Sequence, residues 1–176
     1  MSKTNWVIDP THSEIGFKVK HMMFTNVSGK FNSFEAQIAY EEADFTTASI
    51  QFSADVNSID THQADRDQHL RSTDFFDVAH FPTLTFVSES VERTGESSFN
   101  IHGVLTLKGV SKKIVLKADY SGLMQDPWGN TKIGLAIQGI INRKDYGLTW
   151  NAALETGGVL VGEDVTLVAD VQFSKL

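Results

Sequence analysis

Chemistry in this 176-residue chain has to come from histidines, carboxylates and a few basic side chains, because it contains no cysteine. Thiol nucleophiles, disulfides and zinc–thiolate sites are thereby excluded. Six histidines invite a metal site, yet no H-E-x-x-H pair occurs. His62 and His69 are seven residues apart, about two turns on a helix. Asp65 and His69 are one turn apart and could ligate together; a surface hydrogen bond explains that pair equally well. No G-x-S-x-G and no glycine-rich phosphate loop with a following lysine is present. Asp65 and Asp67 could act as paired carboxylates, but two residues apart on a helix they point to different faces. Lys108, Lys112, Lys113 and Lys117 form the one basic cluster. It could greet a phosphate headgroup, and lysines on exposed strands are equally a guard against edge pairing. The spacings predict neither a metal site nor a catalytic centre.

The elements that carry these side chains are strands. Ile15, Phe17 and Val19 alternate with polar residues or glycine, as do Phe34, Ala36, Ile38 and Tyr40, and the run Ala48 to Val56. Leu84 and Phe86 follow, then Phe99 to Leu107, Ile114 to Tyr120, Ile133, Leu135 and Ile137, and Val165 to Phe173. A period of two means a strand with one buried face. Eight such segments, besides the short Trp6-Val7-Ile8, must close on themselves or stack as two sheets. Eight is also the number at which a closed barrel can just hold one small ligand. Turn chemistry separates them at Asp126-Pro127-Trp128-Gly129, Lys108-Gly109 and Gly157-Gly158. His12 and His21 flank the first long strand. His21 continues the inward parity of Ile15, Phe17 and Val19, which makes it either a polar group at a cavity end or a hydrogen-bonded histidine of the core.

One stretch breaks the pattern. Residues 60–71 read DTHQADRDQHLR, with Asp60 and Gln63 spaced as a capping box and Asp67 and Arg71 as an acid-before-base pair. Phe75, Phe76 and Phe81 follow at once. The reading is a polar helical cap around residues 60–78, tethered over one barrel end by aromatic side chains, with a half-buried Arg66 that needs an acceptor such as Asp67 or a carbonyl.

Composition limits the partners. The net charge is −7, which speaks against nucleic acid, whose binders carry a basic face. No apolar run approaches the roughly 18 residues of a membrane span. The chain enters strand-like sequence directly, without an apolar leader, so the expectation is a cytoplasmic protein, or a periplasmic one if a leader has been removed. One domain, residues 1–176, is expected. Twelve phenylalanines against three tyrosines and three tryptophans supply bulky apolar surface without a polar handle. They build either a filled core or an apolar tunnel.

The opening Trp6-Val7-Ile8-Asp9-Pro10-x-His12-Ser13 and the run Arg66-Asp67-x-His69-Leu70-x-Ser72-x-Asp74-Phe75-Phe76-Asp77 resemble the YceI family. So do Phe81-Pro82, Gly103-x-Leu105-Thr106-x-x-Gly109-Val110 and Ile141-Asn142-Arg143-x-Asp145-x-Gly147-Leu148. The resemblance implies an all-β fold, an eight-stranded antiparallel lipocalin-like barrel with a long apolar cavity, paired as a homodimer. It also implies binding of a long-chain isoprenoid, an isoprenoid quinone or a related amphiphilic lipid, with no required cofactor and no catalysis. The candidate ligand-binding residues are Phe17, Val19, His21, Phe31, Phe34, Phe52, Arg66, Leu70, Phe75, Phe76, Phe86, Phe99, Ile133, Leu135 and Ile137. The alternatives are an enzyme acting on such a lipid through His21, Arg66 and Asp67, or an interaction protein with a filled core. Because His21 is the clearest inward polar residue, ligand chain length is expected to matter more than the headgroup.

Overall fold

A computed structural model describes residues 2–152, 154 and 160–176; the Gly157-Gly158 turn lies outside the described residues. Three early segments each bend once and so supply two strands apiece. β1 (Thr4–Ile8) leads into β2 (Glu14–His21), β3 (Thr25–Phe31) into β4 (Phe34–Glu41), and β5 (Asp44–Asp55) into the short β6 (Ile59–Asp60). Pro10 starts a single tight turn between β1 and β2, which Asp9 caps by accepting from the Thr11 N–H at 3.1 Å. Then come α1 (Ala64–Arg71), β7 (Thr83–Arg93), β8 (Ser98–Leu107), β9 (Val110–Tyr120), β10 (Met124–Gln125), β11 (Thr131–Asn142) and β12 (Val161–Lys175).

Pairing is antiparallel throughout, and the ring closes where β12 meets β11 on one side and β1 and β2 on the other. Counting each bent pair once and setting aside the two-residue β10, the wall is a closed eight-stranded antiparallel barrel. Each of the eight alternating segments occupies one of its positions. The alternation sets the register: along β8, Phe99, Ile101, Gly103, Leu105 and Leu107 are buried, and the residues between them are half-buried.

Two glycines make room for rings. A Cβ on Gly29 would lie 2.4 Å from the Phe17 ring, and one on Gly103 would lie 2.5 Å from the Phe86 ring. Both wall phenylalanines therefore lie flat over a neighbouring strand. Lys108 and Gly109 both have positive φ (51° and 75°). That is the two-residue turn whose twist suits a hairpin, here joining β8 to β9.

The cap differs from expectation in its start. Asp60 does not open the helix; its carboxylate accepts from the His62 N–H at 2.9 Å, and His62 sits at φ 64°, which ends any helical run there. Gln63 is the N-cap instead, accepting from the Arg66 N–H. The expected Asp67–Arg71 pair does not form. Asp67 is buried and accepts from the Thr61 N–H at 2.9 Å and from the Thr61 hydroxyl. Arg71 reaches the carbonyls of Asn57 and Ile59, both at 3.0 Å, and so ties the helix to the bend before β6. Phe75 and Phe76 fold beneath the helix, and Phe81 packs its ring against Gly109. Among the described residues, no helix is long and apolar enough to cross a membrane.

Candidate functional site

The strands alternate in direction, so one end of the barrel gathers the starts of β1, β5, β8 and β11 and the ends of β4, β9 and β12. That end is packed shut. Trp6 stacks on Tyr40 at 5.7 Å, Phe45 sits 5.1 Å from both Tyr40 and Phe99, and Phe45 stacks on Tyr120 at 4.8 Å. The Tyr40 and Tyr120 hydroxyls share a hydrogen bond of 2.7 Å. Burial first, then that bond, push the Tyr40 phenol well above its ordinary pKa, so it stays protonated.

From this plug toward the α1 end runs a cavity of about 340 Å³, within the range of sites that hold small organic ligands. Its wall is aliphatic and aromatic. The β2 residues Phe17, Val19 and His21 line it, as do Phe31, Phe52 and Phe86 from neighbouring strands. Leu135 and Ile137 contribute from β11, and Arg66, Leu70, Phe75 and Phe76 from the cap. Three candidates stand elsewhere. Phe99 and Ile133 are 1% exposed and belong to the plug end, and Phe34 packs on the core without reaching the cavity. For Phe99 and Ile133 the inward parity is correct and the height along the barrel removes them.

Several wall residues escaped the sequence reading. Arg143, just after β11, is 3% exposed and lines the cavity. It donates to four backbone carbonyls: Gly162 at 2.7 Å, Leu148 at 2.6 Å, Trp150 at 3.0 Å and Val161 at 3.3 Å. Burial lowers its pKa, partly offset by Glu163. It does so without approaching neutrality, since arginine stays charged in proteins. The signal was available: Ile133, Leu135, Ile137 and Ile141 share one parity, and Arg143 is the next residue in it. Trp150 and His69 also line the cavity, their rings 4.8 Å apart and edge to face. Both come from outside the strands, where no period marks them.

The cap's hydrogen bonds explain how Arg66 is held. Its Nε donates to the Thr61 hydroxyl at 2.7 Å and its Nη2 to the Thr61 carbonyl at 2.6 Å. The same hydroxyl donates to Asp67. Thr61 therefore relays between the two charges, and the acceptor for Arg66 is Thr61 rather than Asp67. Asp67 faces away from the cavity wall. His69 bonds Asp74 at 2.8 Å instead of joining Asp65. Among the described residues, no three His, Asp or Glu side chains come together as a metal site would require.

Beside the mouth, β2 turns into β3 through Met22 and Met23, both with positive φ (51° and 67°). Such a turn ordinarily takes Asn-Gly. Met23 and the following Phe24 are 58% and 81% exposed, an apolar tip adjoining His21.

The YceI-like domain model matches residues 6–173. The chain belongs to the YceI-like family. A UPF0312 protein of Staphylococcus aureus (strain MSSA476) is 36% identical over 172 residues, covering 97% of this chain and 98% of that protein. Among solved structures, the Campylobacter jejuni YCEI protein superposes with a TM-score of 0.77 at 29% identity, over 89% of this chain and 90% of that one. Burkholderia cenocepacia BcnA gives 0.80 at 22% identity, over 94% and 98%. A polyisoprenoid-binding domain from Saccharophagus degradans gives 0.73 at 17% identity, over 97% and 98%. The YceI-like barrel is thus common to all of them, and the last two share the fold alone.

Proposed function

We propose that this protein binds a long-chain isoprenoid, or an amphiphile of similar shape, inside its barrel as a carrier or store. The observation that carries the reading is the 340 Å³ cavity whose strand-borne wall is almost wholly hydrocarbon. Such a wall offers a chain roughly 0.8 kcal/mol per buried CH₂ and little to orient a reaction. The Saccharophagus degradans domain, described as polyisoprenoid-binding, supports the reading at the level of fold. Geometry disfavours the enzyme alternative: of His21, Arg66 and Asp67, only the first two face the cavity.

Organic extraction of freshly purified protein, followed by mass spectrometry, tests this directly. One prenyl-type lipid per chain is expected. A protein that repeatedly yields none and binds no added prenyl compound would overturn the proposal. Pairing as a homodimer and a cytoplasmic location are part of the same reading, checked by light scattering and cell fractionation.

A further inference from the structure

The chain carries 22 acidic residues against 15 basic ones, yet the charged or titratable side chains lining the cavity are Lys20, His21, Arg66, His69 and Arg143, with no carboxylate among them. All five gather at the α1 end. His21 lies opposite Val161 in the β2–β12 ladder, and Arg143 donates to the Val161 carbonyl. Arg143 also donates to the Trp150 carbonyl, and the Trp150 ring meets His69, one turn along α1 from Arg66. None of the nearby carboxylates Asp67, Asp74 and Glu163 lines the cavity. Asp67 is taken by Thr61, Asp74 by His69 and Glu163 by Lys144 at 2.6 Å.

Donors are left over. Arginine has five N–H groups; Arg66 spends two on Thr61, leaving three without an acceptor among the described residues. His12, His62, His69, His80 and His102 each lie within 4 Å of a carboxylate. His21 has no such partner among the described residues.

We propose that the ligand is an anionic amphiphile, whose carboxylate or phosphate monoester is held at the α1 end by Arg66, with His21 and Lys20 at the rim, while its chain runs toward the aromatic plug. This deepens the lipid-binding reading and rests on it. It also reverses the expectation that the headgroup matters little, because Arg66, the group with the most donors to spare, comes from the cap and not from a strand face.

The test titrates three compounds with the same twenty-carbon prenyl chain: geranylgeranyl phosphate, geranylgeranoic acid and geranylgeraniol. At least one anion is expected to bind about tenfold or more tightly than the alcohol, as a charge-assisted hydrogen bond provides. The stronger anion identifies the headgroup. Arg66→Gln should weaken the anions about tenfold more than the alcohol and so erase most of that advantage. If that variant does not fold, Lys20→Gln combined with His21→Gln should reduce the same advantage. Equal affinity for alcohol and anions, or an equal loss for all three on substitution, overturns the anionic site while leaving lipid binding intact. Failure of all three compounds to bind overturns both.

Discussion

At one end of the barrel Trp6, Tyr40, Phe45, Phe99 and Tyr120 lie within ring contact of one another. At the other, Phe17, Phe31, Phe75, Phe76 and Trp150 surround a cavity. The composition of the two ends is alike and the same strands build both. What differs is who supplies the packing partner. At the plug, side chains from facing walls reach across and meet, whereas at the α1 end helix and hook cover the opening without filling it. Glycines 29 and 103 contribute, since each lets a wall phenylalanine lie flat against the wall. Aromatic content alone therefore does not separate core from binding site, and neither does the distance to the next ring, since Phe17 and Phe31 are 5.8 Å apart and Phe75 and Trp150 5.3 Å; what differs is whether side chains meet across the barrel.

The largest expected effect comes from opening the plug. Phe45 is 2% exposed and touches three other rings. Phe45→Ala should cost about 3–5 kcal/mol and lower the melting temperature by roughly 10 °C, measured by thermal denaturation. A drop of only a degree or two would mean that the plug is not packed as described.

A matched pair sharpens the contrast. Ile133 and Ile137 lie on the same face of β11, one at the plug and one on the cavity wall. Ile133→Trp should overpack and destabilise by about 1–3 kcal/mol. Ile137→Trp should change stability by less than about 1 kcal/mol and weaken prenyl-lipid binding at least tenfold, because the indole occupies the ligand's space. Calorimetry and ligand titration on both variants read the difference. Equal destabilisation would remove the distinction between the two ends.

The smallest effect lies outside both regions. Asp9 accepts from Lys132 at 2.7 Å and bonds His12 at 2.9 Å. These partners, Lys132 foremost, hold its carboxyl far below the ordinary value of 3.8. A depressed folded-state pKa gives stability that is present above about pH 4 and lost as pH falls further. Asp9→Asn should therefore cost about 1 kcal/mol at pH 7 and progressively less below pH 4, read from urea midpoints. A difference that does not change with pH would assign the loss to the cap at Thr11 instead.

Much of this was legible in the sequence. Alternation located every barrel position, since a half-buried strand enforces it. β3 was missed because Thr25, Asn26, Ser28 and Lys30 face outward or line an edge, and Gly29 yields its place to the Phe17 ring. Parity named most of the wall but could not rank height, so Phe99 and Ile133 were grouped with Phe52 and Leu135. Arg143 was within reach of the same parity rule. His69 and Trp150 were not, because their meeting depends on how a helix and a post-strand segment dock.

The closure at β12 bears on how the barrel is made. This strand pairs with β11 from Lys132↔Ser174 to Asn142↔Asp164, and its other edge takes β2 and then β1, out to Trp6↔Lys175. During synthesis at about 5–20 residues per second, β1 waits roughly 8–30 s for residues 161–175. Until then the ring cannot close, since at the seam β1 and β2 are joined to β11 only through that last strand. Contacts of such long sequence separation make folding slow. The interval before β12 arrives is the period in which the nascent chain exposes its phenylalanines to aggregation.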